Sequence, residues 1–270
     1  MSPGEAPAGI LADLNAGRMR AAHPDPAAPG GWRVDPAVQG AILGLFANRE
    51  TRTWDLSGAL QFRDRVGLPV KDLLNSPEAL AALAGGKPWR VAPGGTSVRD
   101  GVYLAPGVTI MPPSYVNVGA WIGEGTMVDS HVLVGSCAQI GSRVHLSAGV
   151  QIGGVMEPTG RRPVIVEDEV FVGAQVALLE GVLVQRGAVI AAGVVLTGTS
   201  RLYDVARERV IAGTLEEPLV VPAGAVVVPG VRQASGEFAA AHGLALSAAV
   251  VVKYRDERTD ARVALEEALR

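Results

Sequence analysis

The sequence predicts a mainly β fold, a parallel β-helix of the hexapeptide type, from three observations. The first is spacing. Leu104, Ile110, Val116, Ile122, Val128, Val134, Ile140, Leu146 and Ile152 recur every six residues, and the rhythm resumes at Val166, Val172, Leu178, Val184, Ile190 and Leu196. The second is the position four residues after each anchor, which is small or β-branched: Ala120, Thr126, Val132, Ala138, Val144 and Val150, then Val170, Val176, Val182, Ala188 and Val194. Neither the 3.6-residue period of a helix nor the two-residue period of a lone strand yields this pattern. Short strands separated by turns do, with three strands to a triangular coil and the anchors stacked inside. The third is composition: hydrophobic content is 48%, yet aromatics are only 4% and there are 34 glycines. A narrow prism wants Val, Ile, Leu and Ala inside and glycine where turns need positive φ.

Along the 270 residues, the segment 1–88 reads as a small, mostly helical domain. It holds a short helix from Ile10 to Met19, a Pro/Gly/Ala linker (AAHPDPAAPGG), and a helix from Asp35 or Pro36 to about Asn48 with Val38, Ile42, Leu45 and Phe46 on one face. Residues 54–86 mix a short extended piece with helical turns from Val70 to Leu83. The coils span 89–232, beginning near Val91 or Val98, with excursions near 153–164 and 203–219. The gap from Ile152 to Val166 is fourteen residues, which reads as two hexads plus two, with the excess in GGVMEPTGRRP. VVPAGAVVVPG supplies a further partial coil, and 233–270 reads as a cap with a strand at Val250–Val252 and an amphipathic helix from Asp256 to Arg270.

A formal charge of −3 argues against a general nucleic-acid binder, which is normally basic. The single cysteine, Cys137, excludes an internal disulfide and fits a reducing compartment; at its place in the coil it reads as a small packing residue rather than a nucleophile. No apolar run reaches the ~18 residues that span a bilayer, and the N-terminus lacks the charged and apolar regions of a leader, so a cytoplasmic location is expected.

Solenoids of this type mostly carry acyltransferases, with chemistry in clefts made by loops and neighbouring subunits. Asp129, next to anchor Val128, is the general-base candidate, because its carboxylate can take a proton from an attacking amine. The plainer role is to bond backbone amides at a coil corner. His131 and His145 read as sharing one face of the solenoid, either as a base or as surface residues. A metal would need a third imidazole, and His23 and His242 fall outside the coils, so no metal is expected. Arg90, Arg99, Arg161, Arg162, Arg201 and Lys253 flank the coils; phosphates of a CoA thioester or carboxylates of a substrate would seek such cations.

The stretch PSYVNVGAWIGEGTMVDSHVLVGSCAQIGSRVHLSAGVQIGGVMEP, residues 113–158, resembles the tetrahydrodipicolinate N-succinyltransferases. The likeness extends through VIVEDEVFVGA, SRLYD, VPAGAVVVPG and AVVVKYR, and through WRVDPAVQGAILGLF and the WRV at 89–91, covering roughly residues 30–270. The resemblance implies a left-handed parallel β-helix, a homotrimer, and active sites between adjacent subunits. It also implies succinyl-CoA as cosubstrate with no permanently bound cofactor, and opened, hydrated tetrahydrodipicolinate as acceptor. Carried onto this chain, Asp129 matches the acid at the acceptor amine and Arg90 the arginine at the substrate carboxylate. Gly153, Gly154 and Glu157 match donor contacts beside the CoA channel. One stretch departs: in GAQVALLEG, residues 173–181, Glu180 is retained, whereas the family's arginine, serine and first glutamate fall on Gln175, Val176 and Ala177. That departure leaves two alternatives open, another acyl-CoA or amino-acid acceptor, and a catalytically silent trimeric scaffold.

Overall fold

The computed structural model describes residues 9–56 and 60–255. Its centre is a three-walled prism of parallel two-residue strands. The first wall stacks Leu104, Ile122, Ile140, Val166, Val184 and Val221 in register. The second stacks Val91, Ile110, Val128, Leu146, Val172, Ile190 and Val227. The third stacks Val98, Val116, Val134, Ile152, Leu178 and Leu196. Every six-residue anchor points inward and is nearly or wholly buried, and the position four residues later is buried with it except where the chain leaves the coil after Ile152 and Leu196. Each such side chain contributes roughly 1.5–3 kcal/mol of transfer free energy, so the repeat itself is the main source of cohesion.

Three residues past most anchors the chain turns, and there the backbone enters the left-handed region. Glycine serves at 107, 119, 125, 149, 181, 187, 193 and 224, whereas His131, Cys137, Arg143, Glu169 and Gln175 occupy the same position with side chains. Inside the turns, Ser114 and Thr126 put their hydroxyls onto neighbouring carbonyls, which satisfies these two buried polar side chains at the inward position four.

Wall by wall, the gap between Ile152 and Val166 closes differently from the sequence reading. Ile152 lies on the third wall and Val166 on the next one, so the chain advances one hexad and the excursion is eight residues longer than a plain turn. The second excursion also leaves the third wall, after Leu196, and returns to the first at Val220–Val221. It builds an antiparallel pair, Arg201–Asp204 with Arg209–Ala212, that extends the sheet of the second wall.

The segment before the coils is less helical than expected. It has short helices α1 (Ile10–Asn15), α2 (Pro36–Ala47) and α3 (Pro77–Ala84), and two hairpins, Ala22–Pro24 with Trp32–Val34 and Thr51–Leu56 with Leu60–Arg65. α1 stops four residues before Met19, because Gly17 at φ 70° turns the chain away. This segment is a layer on the prism. Ile10, Leu14, Val38, Ile42 and Leu45 share one core with Val118 and Cys137 of the coils. Arg20 stacks on Trp121 and donates to Gln139 on the first wall, and burial lowers its pKa to about 10.

Past the coils, Ala225–Gln233 and Ala245–Tyr254 form a long antiparallel hairpin with helix α4 (Glu237–Ala241) near its tip. The expected strand at 250–252 is therefore the inner part of a longer one. The expected helix from Asp256 to Arg270 lies outside the described residues. Among the described residues, no helix is long and apolar enough to cross a membrane.

Candidate functional site

Two groups of residues singled out from the sequence lie at opposite corners of the third wall. Asp129 occupies the corner between the second and third walls. Its backbone N–H donates to Leu146, its Oδ1 accepts from Ser130 N–H at 2.7 Å, and its carbonyl accepts from Ser114 Oγ at 2.9 Å. The backbone-bonding role is thus real for one carboxylate oxygen, while Oδ2 carries no hydrogen bond among the described residues. Met111 sits in the same corner one coil below, and Arg90 reaches it, Nη1 lying 3.6 Å from Met111 Sδ. Arg90 and Asp129 are two ladder steps apart on one wall, about 10 Å at ordinary strand spacing. An exposed guanidinium and a half-buried carboxylate at that separation suit a substrate bearing both carboxylate and amine.

The other group lies where the first excursion leaves the third wall. Gly153 N–H continues the ladder to Leu178. Gly135 and Gly154 cross here so closely that a Cβ on Gly135 would stand 2.2 Å from Gly154 N, and one on Gly154 would stand 2.9 Å from Ser136 N. Only glycine fits this crossing, which leaves backbone bare to an approaching ligand. Beyond it, Gly154 and Glu157 line a cleft of about 540 Å³ with Arg161, Arg162 and Glu180 on its rim and Phe46 of α2 behind. Arg162 is anchored by three carbonyls: Nε donates to Gly181, and Nη2 to Pro218 (2.6 Å) and Leu219 (3.2 Å). Burial, only partly offset by the charge of Glu217, lowers its pKa to about 10.

The single chain does not bring the two groups together. One wall, six residues of chain spanning roughly 15–20 Å, separates the Asp129 corner from the Gly153 corner. Between them the outward face carries Tyr115, Leu133, Gln151, Ala177 and Val195. Ala177 stands in that row, between Gln151 and Val195. The histidines do not share a face: His131 is at a corner turn and His145 is on the second wall, stacked on Phe171. No group of three or more metal-ligating side chains occurs among the described residues.

A family model described as hexapeptide repeat of succinyl-transferase matches residues 163–198. The 2,3,4,5-tetrahydropyridine-2,6-dicarboxylate N-succinyltransferase of Azoarcus sp. (strain BH72) is 41% identical, over all of this chain and 93% of that relative. The chain belongs to this family. The member from Polynucleobacter asymbioticus is likewise 41% identical over all of this chain and 93% of its own, and that from Pseudoalteromonas translucida is 42% identical over 89% of this chain and 80% of its own. Family members are N-succinyltransferases by name, so acyl transfer is the chemistry against which this geometry is read.

Some contributors escaped the sequence reading. Ser114 stitches the Asp129 corner, and its only signal was a hydroxyl at an inward repeat position. Gln39 meets the excursion from 122 positions away in the chain, and nothing local in α2 points to it.

Proposed function

We propose that this chain transfers the succinyl group of succinyl-CoA to the amine of opened, hydrated tetrahydrodipicolinate, in the route to diaminopimelate and lysine. The observation that carries the reading is one wall of the prism flanked by unlike half-sites: a carboxylate with a guanidinium, and a glycine crossing with cations. The acceptor brings an amine for Asp129 and a carboxylate for Arg90. The donor brings phosphates for Arg161 and a slender pantetheine arm for the bare backbone at Gly153 and Gly154, with Glu157 at the loop's edge.

Asp129 takes the proton from the amine as the nitrogen attacks the thioester carbonyl. Backbone N–H groups stabilise the tetrahedral oxyanion. The C–S bond then breaks, the amide C–N bond is complete, and the CoA thiolate leaves and is protonated. Neither a metal nor a covalent enzyme intermediate is required, and placing two substrates supplies much of the rate. Because the half-sites stand at opposite corners, each is completed by the other corner of a neighbouring copy, as a homotrimer provides. The supply of succinyl-CoA and the lone cysteine support a cytoplasmic setting.

Ala177 favours a second reading, an altered acyl or acceptor preference, since a methyl stands on the wall where the resemblance leads one to expect a carboxylate. Both readings meet one experiment: CoA release from succinyl-CoA and from acetyl-CoA, with tetrahydrodipicolinate and with other amines. Succinyl-CoA and tetrahydrodipicolinate should give the highest kcat/KM. A preference for acetyl-CoA above about tenfold would overturn the succinyl assignment. Asp129→Asn should lower kcat by about 10²–10⁴ with the fold intact by circular dichroism. An unchanged rate would remove Asp129 from the reaction and favour a silent scaffold.

A further inference from the structure

We propose that Gln39, on the amino-terminal helix, is a positioning residue for the acyl-CoA, acting through the loop that follows Gly153. The inference rests on reading that loop as the donor contact. Gln39 is fully buried, and its amide spends itself on two consecutive loop residues: Nε2 donates to the Arg161 carbonyl at 2.8 Å and Oε1 accepts from Gly160 N–H at 2.7 Å. This pairing copies one rung of a β-ladder with a side chain, and it grips the loop at its far turn, where Gly160 has φ 92°. The loop has no strand or helix of its own between Ile152 and Ile165. Its shape therefore depends on what holds it from outside.

The grip is rigid because its base is rigid. Asp35 caps α2, accepting from Ala37 and Val38 N–H, and Pro36 fixes the first turn. One turn further on, Ile42 packs against the outside of the prism, where its Cδ1 lies 2.6 Å from the place a Cβ on Gly119 would take. Gln39 thus transmits the position of a docked helix to the loop turn. The adjacent Arg162 is held from the other side, its own guanidinium donating to the carbonyls of Gly181, Pro218 and Leu219. Between these two fixings lies Arg161, exposed and free to meet an anion.

The test is Gln39→Met, which keeps the buried volume and the helix but removes both hydrogen bonds. Two readouts are taken on the full-length protein. Tryptic cleavage after Arg161 reports the loop itself; Arg162 precedes proline and is a poor site. Steady-state kinetics report the donor. Cleavage should accelerate about tenfold or more, and the KM for succinyl-CoA should rise about tenfold, with kcat and the acceptor KM changing less than about twofold. A purely structural glutamine would lower active-enzyme yield without splitting the two KM values. Unchanged cleavage would overturn the grip. Faster cleavage with an unchanged KM for succinyl-CoA would overturn the role in donor placement while leaving Asp129 chemistry untouched. Should Gln39→Met fail to accumulate, Gln39→Glu retains the acceptor for Gly160 N–H and opposes the Arg161 carbonyl. It should shift both readouts in the same direction, and wild-type behaviour in both would sink the proposal.

Discussion

Two loops leave the prism from the same wall and return to the same next wall, yet they are held by opposite means. The first, after Ile152, has no secondary structure and is fixed by side chains, Gln39 coming in from α2 and its own Arg162 reaching out to 218–219. The second, after Leu196, makes its own hairpin and joins the carboxy-terminal strand Ala245–Tyr254, with Leu202 to Asp204 paired to Ala249 to Val251. Backbone ladders make a loop stable on its own account. Side-chain fixings make it adjustable, since one residue sets its position. The candidate donor contacts lie on the adjustable loop.

The comparison breaks most sharply at Arg162, which ties the loops to each other. Arg162→Met removes a donor from three carbonyls at once and should cost about 3 kcal/mol in urea unfolding. It should also weaken succinyl-CoA binding, because both sides of the cleft move. If stability falls by no more than a few tenths of a kcal/mol, the loops are held independently.

Next comes Asp204, the buried acid that organises the second loop. It accepts from Tyr254 Oη at 2.6 Å, from Arg209 Nε at 3.0 Å and from Arg207 N–H at 3.2 Å. Burial pushes its pKa up, but these donors outweigh it and hold the carboxyl below its ordinary value. The folded state then binds fewer protons than the unfolded one over that range. The contribution is complete above about pH 4 and drains away as pH falls through the lowered folded value. Asp204→Asn should cost about 2 kcal/mol at neutral pH and flatten that acid limb, with succinyl-CoA KM unchanged. A rise in that KM would mean that the hairpin, too, shapes the donor cleft.

The smallest effect provides a baseline away from both loops. Gln175 is exposed at a coil turn with φ 60°. Gln175→Gly should stabilise the chain by about 0.5–1 kcal/mol in the same unfolding assay. A loss would show that its side chain contributes more than its backbone strain costs.

The coils were legible because their signal is local and repeated: each anchor states the same inward direction six residues on. Asp129 and Arg90 could be singled out as candidates because each stands beside an inward-facing repeat residue, Val128 and Val91, within segments that resemble the family. The fourteen-residue gap misled because its length suits two hexads plus two as well as one plus eight. Only the pairing of Val166 with Ile140 tells which wall it occupies. Ala22–Pro24 and Trp32–Val34 carry no alternation to read, since their partner surface is the first wall; Ala22 and Trp32 pack there against Ile165 and Leu183. Gln39 was invisible for the same reason. Its value comes from a residue far along the chain, which no window around α2 contains.

The lone sulfhydryl has a use that its burial creates. Cys137 lies beneath α1 and α2 in the core that joins them to the coils, and burial pushes its pKa up to about 12. Alkylating reagents attack the thiolate, which is scarce there at neutral pH. Incorporation of label at this sulfur therefore keeps time for the lifting of the amino-terminal layer from the prism.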